Sequence, residues 1–213
     1  MTGVLDTRET RTWVAPRPGP GAADYGPRIT CVHPDGLHVG LVNNMPDAAL
    51  LTTERQFGSL FSQVAEPMPV GLTCYFLPGI PRSEWAREYL AQSYAAVGDL
   101  VSQTPDVVIV TGTEPREQNL EDEPYWDALT GLIDWAKSSP VPVMFSCLAA
   151  HAAVRHSDNV ARHPVGYKCC GVFDEDIVSG HDLVEGVGYR MPLPHSRGMR
   201  SASPHWSPRG TRF

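Results

Sequence analysis

PDVVIVTG (105–112) and VPVMFSCLAAHAAVRH (141–156) decide the fold. The first is a β-branched apolar run closed by Thr-Gly. The second is an apolar run that passes through Ser146-Cys147 straight into helix-forming residues. Runs of this kind are buried on both faces, as strands of a parallel sheet are. Between them, TEPREQNLEDE (113–123) reads as a loop whose acidic part, Glu114–Glu123, is a solvated face. The stretch after it reads as a helix, with Pro124 near its start and an apolar face of Tyr125, Leu129, Leu132, Ile133 and Ala136. Outward toward the N-terminus the alternation continues. HVGLVNN (38–44) and VGLTCYFL (70–77) read as strands, and VPVMF (141–145) as a further buried one. The helix after residue 46 has Asp47 as its cap and Leu50, Phe57, Leu60, Phe61 and Val64 on one face. SEWAREYLAQSYAAV (83–97) reads as a helix capped by Ser83. Strands alternating with helices at this spacing predict an α/β fold, a mostly parallel sheet flanked by helices.

The chain has 213 residues, 42% hydrophobic and 19% charged, which suits one domain or at most two small ones. Its net charge of −7 argues against a nucleic-acid or polybasic membrane binder. No apolar run approaches the roughly 20 residues of a membrane span. MTGVLDTRETRTW (1–13) carries charges where a signal peptide has its apolar core, so a cytoplasmic protein is expected. Residues 1–28, rich in Pro, Gly, Arg and Thr, read as a flexible extension. The five cysteines, Cys31, Cys74, Cys147, Cys169 and Cys170, are odd in number and show no C-x-x-C spacing. They read as reduced thiols rather than a disulfide framework or a metal site.

Ligands of parallel sheets sit at the carboxyl ends of the strands, here Thr111-Gly112-Thr113 and Ser146-Cys147-Leu148. Cys147 lies where a strand gives way to a helix. The helix N-terminus favours a thiolate, and small neighbours (Ser146, Ala149, Ala150) leave room for a carbonyl whose oxyanion the turn's N–H groups would hold. The arrangement is that of a nucleophile elbow without its flanking glycines. From the residues alone, a buried cysteine acting as a small hydrophobe stays open beside it. His151, four residues on, reads as packing, since two ligands without a third make no zinc site; His156 and His163 read as surface. Cys169 and Cys170 point in different directions and read as core packing, Lys168 as an ordinary surface lysine. Pro194-His195-Ser196-Arg197 reads either as a chance polar turn or as a site element at a strand end.

Taken together, LVNNMPDAALLTTERQF, DVVIVTGTEPREQNLEDEPYWDAL, VPVMFSCLAAHAAV, YKCCGVFDEDI and HDLVEGVGYRMPLPHSR resemble the homoserine O-succinyltransferase family, which includes O-acetyltransferases of the same fold. These stretches cover most of residues 38–197 in family order. The resemblance implies a class I glutamine amidotransferase-like (flavodoxin-like) domain over residues 29–197, incomplete at its C-terminus, with no bound cofactor. It implies small-molecule substrates, L-homoserine and an acyl-CoA cosubstrate, and a homodimer. It makes Cys147 the acyl-thioester nucleophile, and Lys168, Ser196 and Arg197 substrate-binding residues. Arg116 falls at the acyl-selecting position, where members carry Gly or Glu. The donor is thus open between succinyl-CoA, the preferred expectation, and acetyl-CoA. The lysines that often follow the Met-Pro pair are replaced by Asp47 and Ala48. A glutamine amidotransferase-like thiol hydrolase and a non-catalytic small-molecule-binding paralogue are the competing readings.

Relatives are expected to continue past PHSR to a Gly-His-Pro-Glu-Tyr segment holding a general-base histidine and its supporting glutamate. After Arg197 this sequence instead reads GMRSASPHWSPRGTRF, without Val, Ile, Leu or an acidic residue. Restoring one nucleotide after the Arg197 codon lets permitted codons read Arg-Trp-Asn-Glu-Val-Arg-Glu and then an apolar run. Residues 198–213 are therefore expected to be a frameshifted end, with a natural short paralogue as the alternative. Either way this chain is expected to be impaired in acyl transfer.

Overall fold

The computed structural model describes residues 36–64, 68–177 and 182–201. The expected extension over residues 1–28, Cys31 and the end of the tail from residue 202 lie outside the described residues. The chain divides into two compact units after Ala153.

The first unit is built on five parallel strands: β1 (Leu37–Val42), β2 (Val70–Phe76), β3 (Ala95–Ala96), β4 (Val107–Val110) and β5 (Val143–Phe145), in the order β3-β2-β1-β4-β5. The chain proceeds outward from β1 to β3, then crosses to β4 and β5 on the other side of β1. The loops leaving β1 and β4 therefore diverge, and sheets of this kind open a ligand crevice at that point.

Register explains the two cores. Leu41 lies beside Cys74, and Val42 beside Tyr75. Successive side chains point to opposite faces, so the two pairs go to opposite layers. Leu41 and Cys74 pack with Leu50 of α1 (Asp47–Val64) and with Tyr89 and Leu90 of α2 (Glu84–Ser93). Val42, Tyr75, Val108 and Val110 pack on the other face with Leu100 of the short α3 (Leu100–Gln103). Leu129, Leu132 and Ile133 of α4 (Trp126–Ser138) join them there, as do Leu148, Ala149 and Ala152 of α5 (Leu148–Asp158). Each fully buried aliphatic side chain contributes about 1.5–3 kcal/mol relative to exposure.

Several expectations are corrected. The helix expected over 83–97 begins as read, the Ser83 Oγ accepting the Ala86 N–H at 3.2 Å, but it ends at Ser93. Tyr94 turns extended and Ala95–Ala96 form the edge strand β3 beside Tyr75 and Phe76. Alanine is a strong helix former, so strand pairing and the bonds of the Tyr94 hydroxyl override local propensity here. β5 is the opposite edge of the sheet and Met144 is exposed, whereas a fully buried strand was expected. Leu60 is exposed too, because it sits about 80° around α1 from Leu50 at 100° per residue. Asp47 is the first residue of α1 rather than its cap, and its carboxylate is taken by Arg82 and by the Ser83 N–H.

The apolar stripe of α1 also carries Glu54, which is buried. The Tyr89 hydroxyl donates to one carboxylate oxygen at 2.7 Å, and the Tyr94 hydroxyl donates to the other. Asn43 Nδ2 donates to Tyr94 Oη at 2.9 Å and to the Leu50 carbonyl at 3.1 Å. Burial raises the Glu54 pKa against the pull of the two hydroxyls.

The second unit is a two-stranded antiparallel ribbon of β6 (Arg162–Asp176) and β7 (Arg190–Ser201), with an irregular register between Pro164 and Cys169. Pro194–Arg197 lie inside β7 rather than in a turn. The strand also includes Gly198–Ser201, the first residues of the expected divergent tail. Cys169 is half-buried and Cys170 exposed, so the core packing expected for the pair is not found. Side chains along β7 mostly alternate between half-buried and exposed, as a ribbon with one covered face dictates.

Candidate active site

At the carboxyl edge of the parallel sheet, Ser146 extends β5 by donating its N–H to the Val110 carbonyl at 2.9 Å. Cys147 then takes the left-handed conformation, φ 55°, and α5 starts at the next residue. A non-glycine residue at positive φ is uncommon and costs about 1–3 kcal/mol, and such strain clusters at functional sites. The turn is closed by N–H groups of Ala150 and His151 donating to the Cys147 carbonyl at 3.1 and 3.3 Å. The Cys147 side chain is exposed, which removes the reading of a buried small hydrophobe.

The glycine that a nucleophile elbow requires is supplied from the neighbouring strand. A Cβ on Gly112 would lie 2.6 Å from the Leu148 nitrogen and 3.1 Å from Cys147 Cβ. The end of β4 can thus touch the cysteine turn only because residue 112 has no side chain. Leu148 opens α5, so its N–H belongs to the helix-start group that lacks a partner within the helix, in a region of partial positive charge.

The loop from β1 is fixed to the same edge. Asn44 is buried. Its N–H donates to Thr111 Oγ1 at 2.8 Å and its Nδ2 to the Thr111 carbonyl at 2.9 Å, tying the divergent loops of β1 and β4 together. The Met45 N–H donates to Asn43 Oδ1 at 3.3 Å. Arg82 donates to the Met45 carbonyl and, at 3.1 Å, to Asp47. Burial works upward on the Asp47 pKa, but the bonds from Ser83 and Arg82 outweigh it and hold the carboxyl below its ordinary value.

The loop expected to be a solvated face is only partly one. Glu114, Glu121 and Asp122 are exposed, but Leu120 and Glu123 are buried. Glu123 Oε1 accepts the N–H groups of Arg116 at 2.6 Å and Glu117 at 2.8 Å. Arg116 itself is exposed.

The other residues singled out by sequence lie on the ribbon. Lys168 is exposed within the irregular stretch of β6; Ser196 and Arg197, also exposed, sit in β7 opposite Cys170 and Cys169. Cys170 Sγ is 3.6 Å from Ser196 Oγ. His195 is half-buried, with Nε2 3.1 Å from Glu175 Oε1 and its ring edge-on to Phe173. Cys147, His151 and Arg116 belong to the first unit; Lys168, Ser196 and Arg197 belong to the second. Sequence reading missed Asn43, Asn44, Arg82, Glu54 and Glu123. The one available signal was the polar pair Asn43-Asn44 closing an apolar strand directly before Met-Pro.

A doubly wound parallel sheet that presents an exposed cysteine on a left-handed strand-to-helix turn defines the amidotransferase-like class of α/β proteins. The solved structure of a GMP synthase component from Thermoplasma acidophilum shares the fold. Its TM-score is 0.53 at 12% identity, covering 79% of this chain and 68% of that one. Residues 32–203 match the family model of homoserine O-succinyltransferase, and the chain belongs to that family. Relatives named homoserine O-succinyltransferase include the protein of Methylorubrum extorquens, 44% identical over 76% of this chain and 47% of its own length. Those of Rhodopseudomonas palustris (43%, covering 76% and 48%) and Bradyrhizobium japonicum (41%, covering 84% and 55%) are similar in extent. The chain spans about half the length of these curated relatives. Among the described residues, no helix is long and apolar enough to cross a membrane.

Proposed function

We propose that this chain carries the nucleophile of a homoserine O-acyltransferase, and that succinyl-CoA is the acyl donor. The observation that carries the reading is the exposed Cys147 at φ 55° against Gly112. The Cys147 thiolate attacks the thioester carbonyl. A C–S bond forms to Cys147, the C–S bond to coenzyme A breaks, and the CoA thiolate leaves and takes up a proton. The oxyanion of the tetrahedral intermediate is met by N–H groups at the start of α5, Leu148 first. The hydroxyl of L-homoserine then attacks the acyl-enzyme, passing its proton to a histidine base, and frees Cys147.

Lys168, Ser196 and Arg197 are assigned to substrate binding by resemblance, and Arg116 to the choice of acyl group. The protein would work without a bound cofactor, in the cytoplasm, as a homodimer on small-molecule substrates. The succinyl donor is supported by the names of the relatives.

The acylation half-reaction is the direct test. Incubation with succinyl-CoA should add the mass of one succinyl group to Cys147, removable by hydroxylamine, and Cys147→Ala should add none. Ammonia release from glutamine without acylation would replace this reading by the thiol hydrolase. Succinyl-CoA binding that leaves Cys147 unmodified would replace it by a binding role.

A further inference from the structure

Glu123 sits at the start of α4 and is 3% exposed, yet it belongs to no core cluster. Its backbone is pinned: the N–H donates to the Leu120 carbonyl at 3.2 Å, and the carbonyl accepts the Trp126 N–H at 2.9 Å. From that fixed base one carboxylate oxygen reaches back to take two consecutive backbone N–H groups, those of Arg116 at 2.6 Å and Glu117 at 2.8 Å. The other oxygen is buried with no hydrogen-bond partner. A carboxylate is the strongest acceptor available for N–H groups, and leaving half of it unpartnered and buried is costly. Such local costs concentrate where a geometry is needed for function.

The clamped loop starts at Gly112, which touches the Cys147 turn, and Arg116 follows four residues later. Four residues of extended chain span at most about 14 Å, so Arg116 is held at the rim of the cysteine site. A guanidinium kept at that rim favours an acyl group that ends in a carboxylate over one that ends in a methyl. Arg116 has no side-chain bond of its own fixing the loop among the contacts described, so the loop's position depends on Glu123.

We infer that Glu123 is a positioning residue for acyl-donor specificity: it fixes the Arg116 loop beside Cys147 so that a dicarboxylic acyl thioester is preferred. This rests on the acyltransferase reading above.

The test measures single-turnover acylation of Cys147 with succinyl-CoA and with acetyl-CoA, and reads the ratio of the two rates. Glu123→Ala should lower the succinyl-to-acetyl ratio about tenfold, the scale of losing two charge-assisted bonds that order a loop. Glu123→Gln keeps an oxygen acceptor without the charge and should shift the ratio about threefold. In an Arg116→Ala background, Glu123→Ala should change the ratio no further. Leu120→Ala, at a buried apolar site of the same loop, should lower the melting temperature and leave the ratio alone. An unchanged ratio in both Glu123 variants overturns the inference, as does an equal shift in the Arg116→Ala background. If Glu123→Ala does not fold, the Glu123→Gln ratio decides by itself. Wild-type protein acylated by neither thioester removes the acyltransferase reading, and this inference with it.

Discussion

The two units use the same β-forming residues to opposite ends. In the first, Val39, Leu41, Val108 and Val110 are fully buried between helical layers; in the second, Val172 is 68% and Tyr189 78% exposed. The first unit's strands are held by what covers them. The ribbon is held by its ladder and by one half-buried face. The largest expected effect follows from that difference. Leu41→Ala should cost about 2–5 kcal/mol in denaturant unfolding, through lost transfer energy and a cavity. Val172→Ala should stay within about 0.5 kcal/mol. Native-state hydrogen exchange sharpens the comparison: amides of β1 and β4 should exchange only by global opening, and those of β6 and β7 by local opening. Equal protection in both units would break it.

Next in size is the contact that shapes the site. Gly112→Ala puts a methyl group 2.6 Å from the Leu148 nitrogen, where backbone must give way. Overpacking of this kind costs about 1–3 kcal/mol. The displaced turn should also slow alkylation of Cys147 by iodoacetamide, while Gly98→Ala, where a Cβ meets nothing within 4 Å, should not. Unchanged alkylation in Gly112→Ala would mean the elbow does not depend on that close approach.

Much of this was legible in the sequence, and for a physical reason. Burial on both faces writes itself as continuous apolar runs, so β1, β2, β4 and the strand before Cys147 could be read directly. The elbow was legible because an apolar strand ran into a helix with only two residues between. What escaped was set by long-range contacts. Ala95–Ala96 become a strand only because Phe76 and Tyr75 lie alongside. The edge position of β5 depends on strand order, which local patterns do not encode. Glu54 and Glu123 read as ordinary charged residues, since nothing local marks a carboxylate whose donors come from another element or from a loop folded back onto it. Lys168, Ser196 and Arg197 were legible only through family resemblance; by pattern they are polar residues on a ribbon.

The smallest expected effect sets two carboxylates of one helix against each other. Glu54 has its pKa raised above the ordinary 4.5 by burial, so between that value and its native pKa the unfolded chain has released a proton that the native state keeps. The unfolded state then binds fewer protons, and stability falls as pH rises through that window. Asp47 has its pKa held below the ordinary 3.8, because the bonds from Ser83 and Arg82 outweigh burial. Between its native value and 3.8 the unfolded state binds the extra proton, so stability is lost as pH falls through that window. Urea unfolding from acid to neutral pH should therefore show loss on both sides of the interval near 4. Glu54→Gln should flatten the limb above 4.5, and Asp47→Asn the limb below 3.8. If Glu54→Gln leaves the upper limb unchanged, the two tyrosine hydroxyls hold the carboxylate ionised against its burial, and the buried polar group at the end of β1 is an anion site rather than a neutral one.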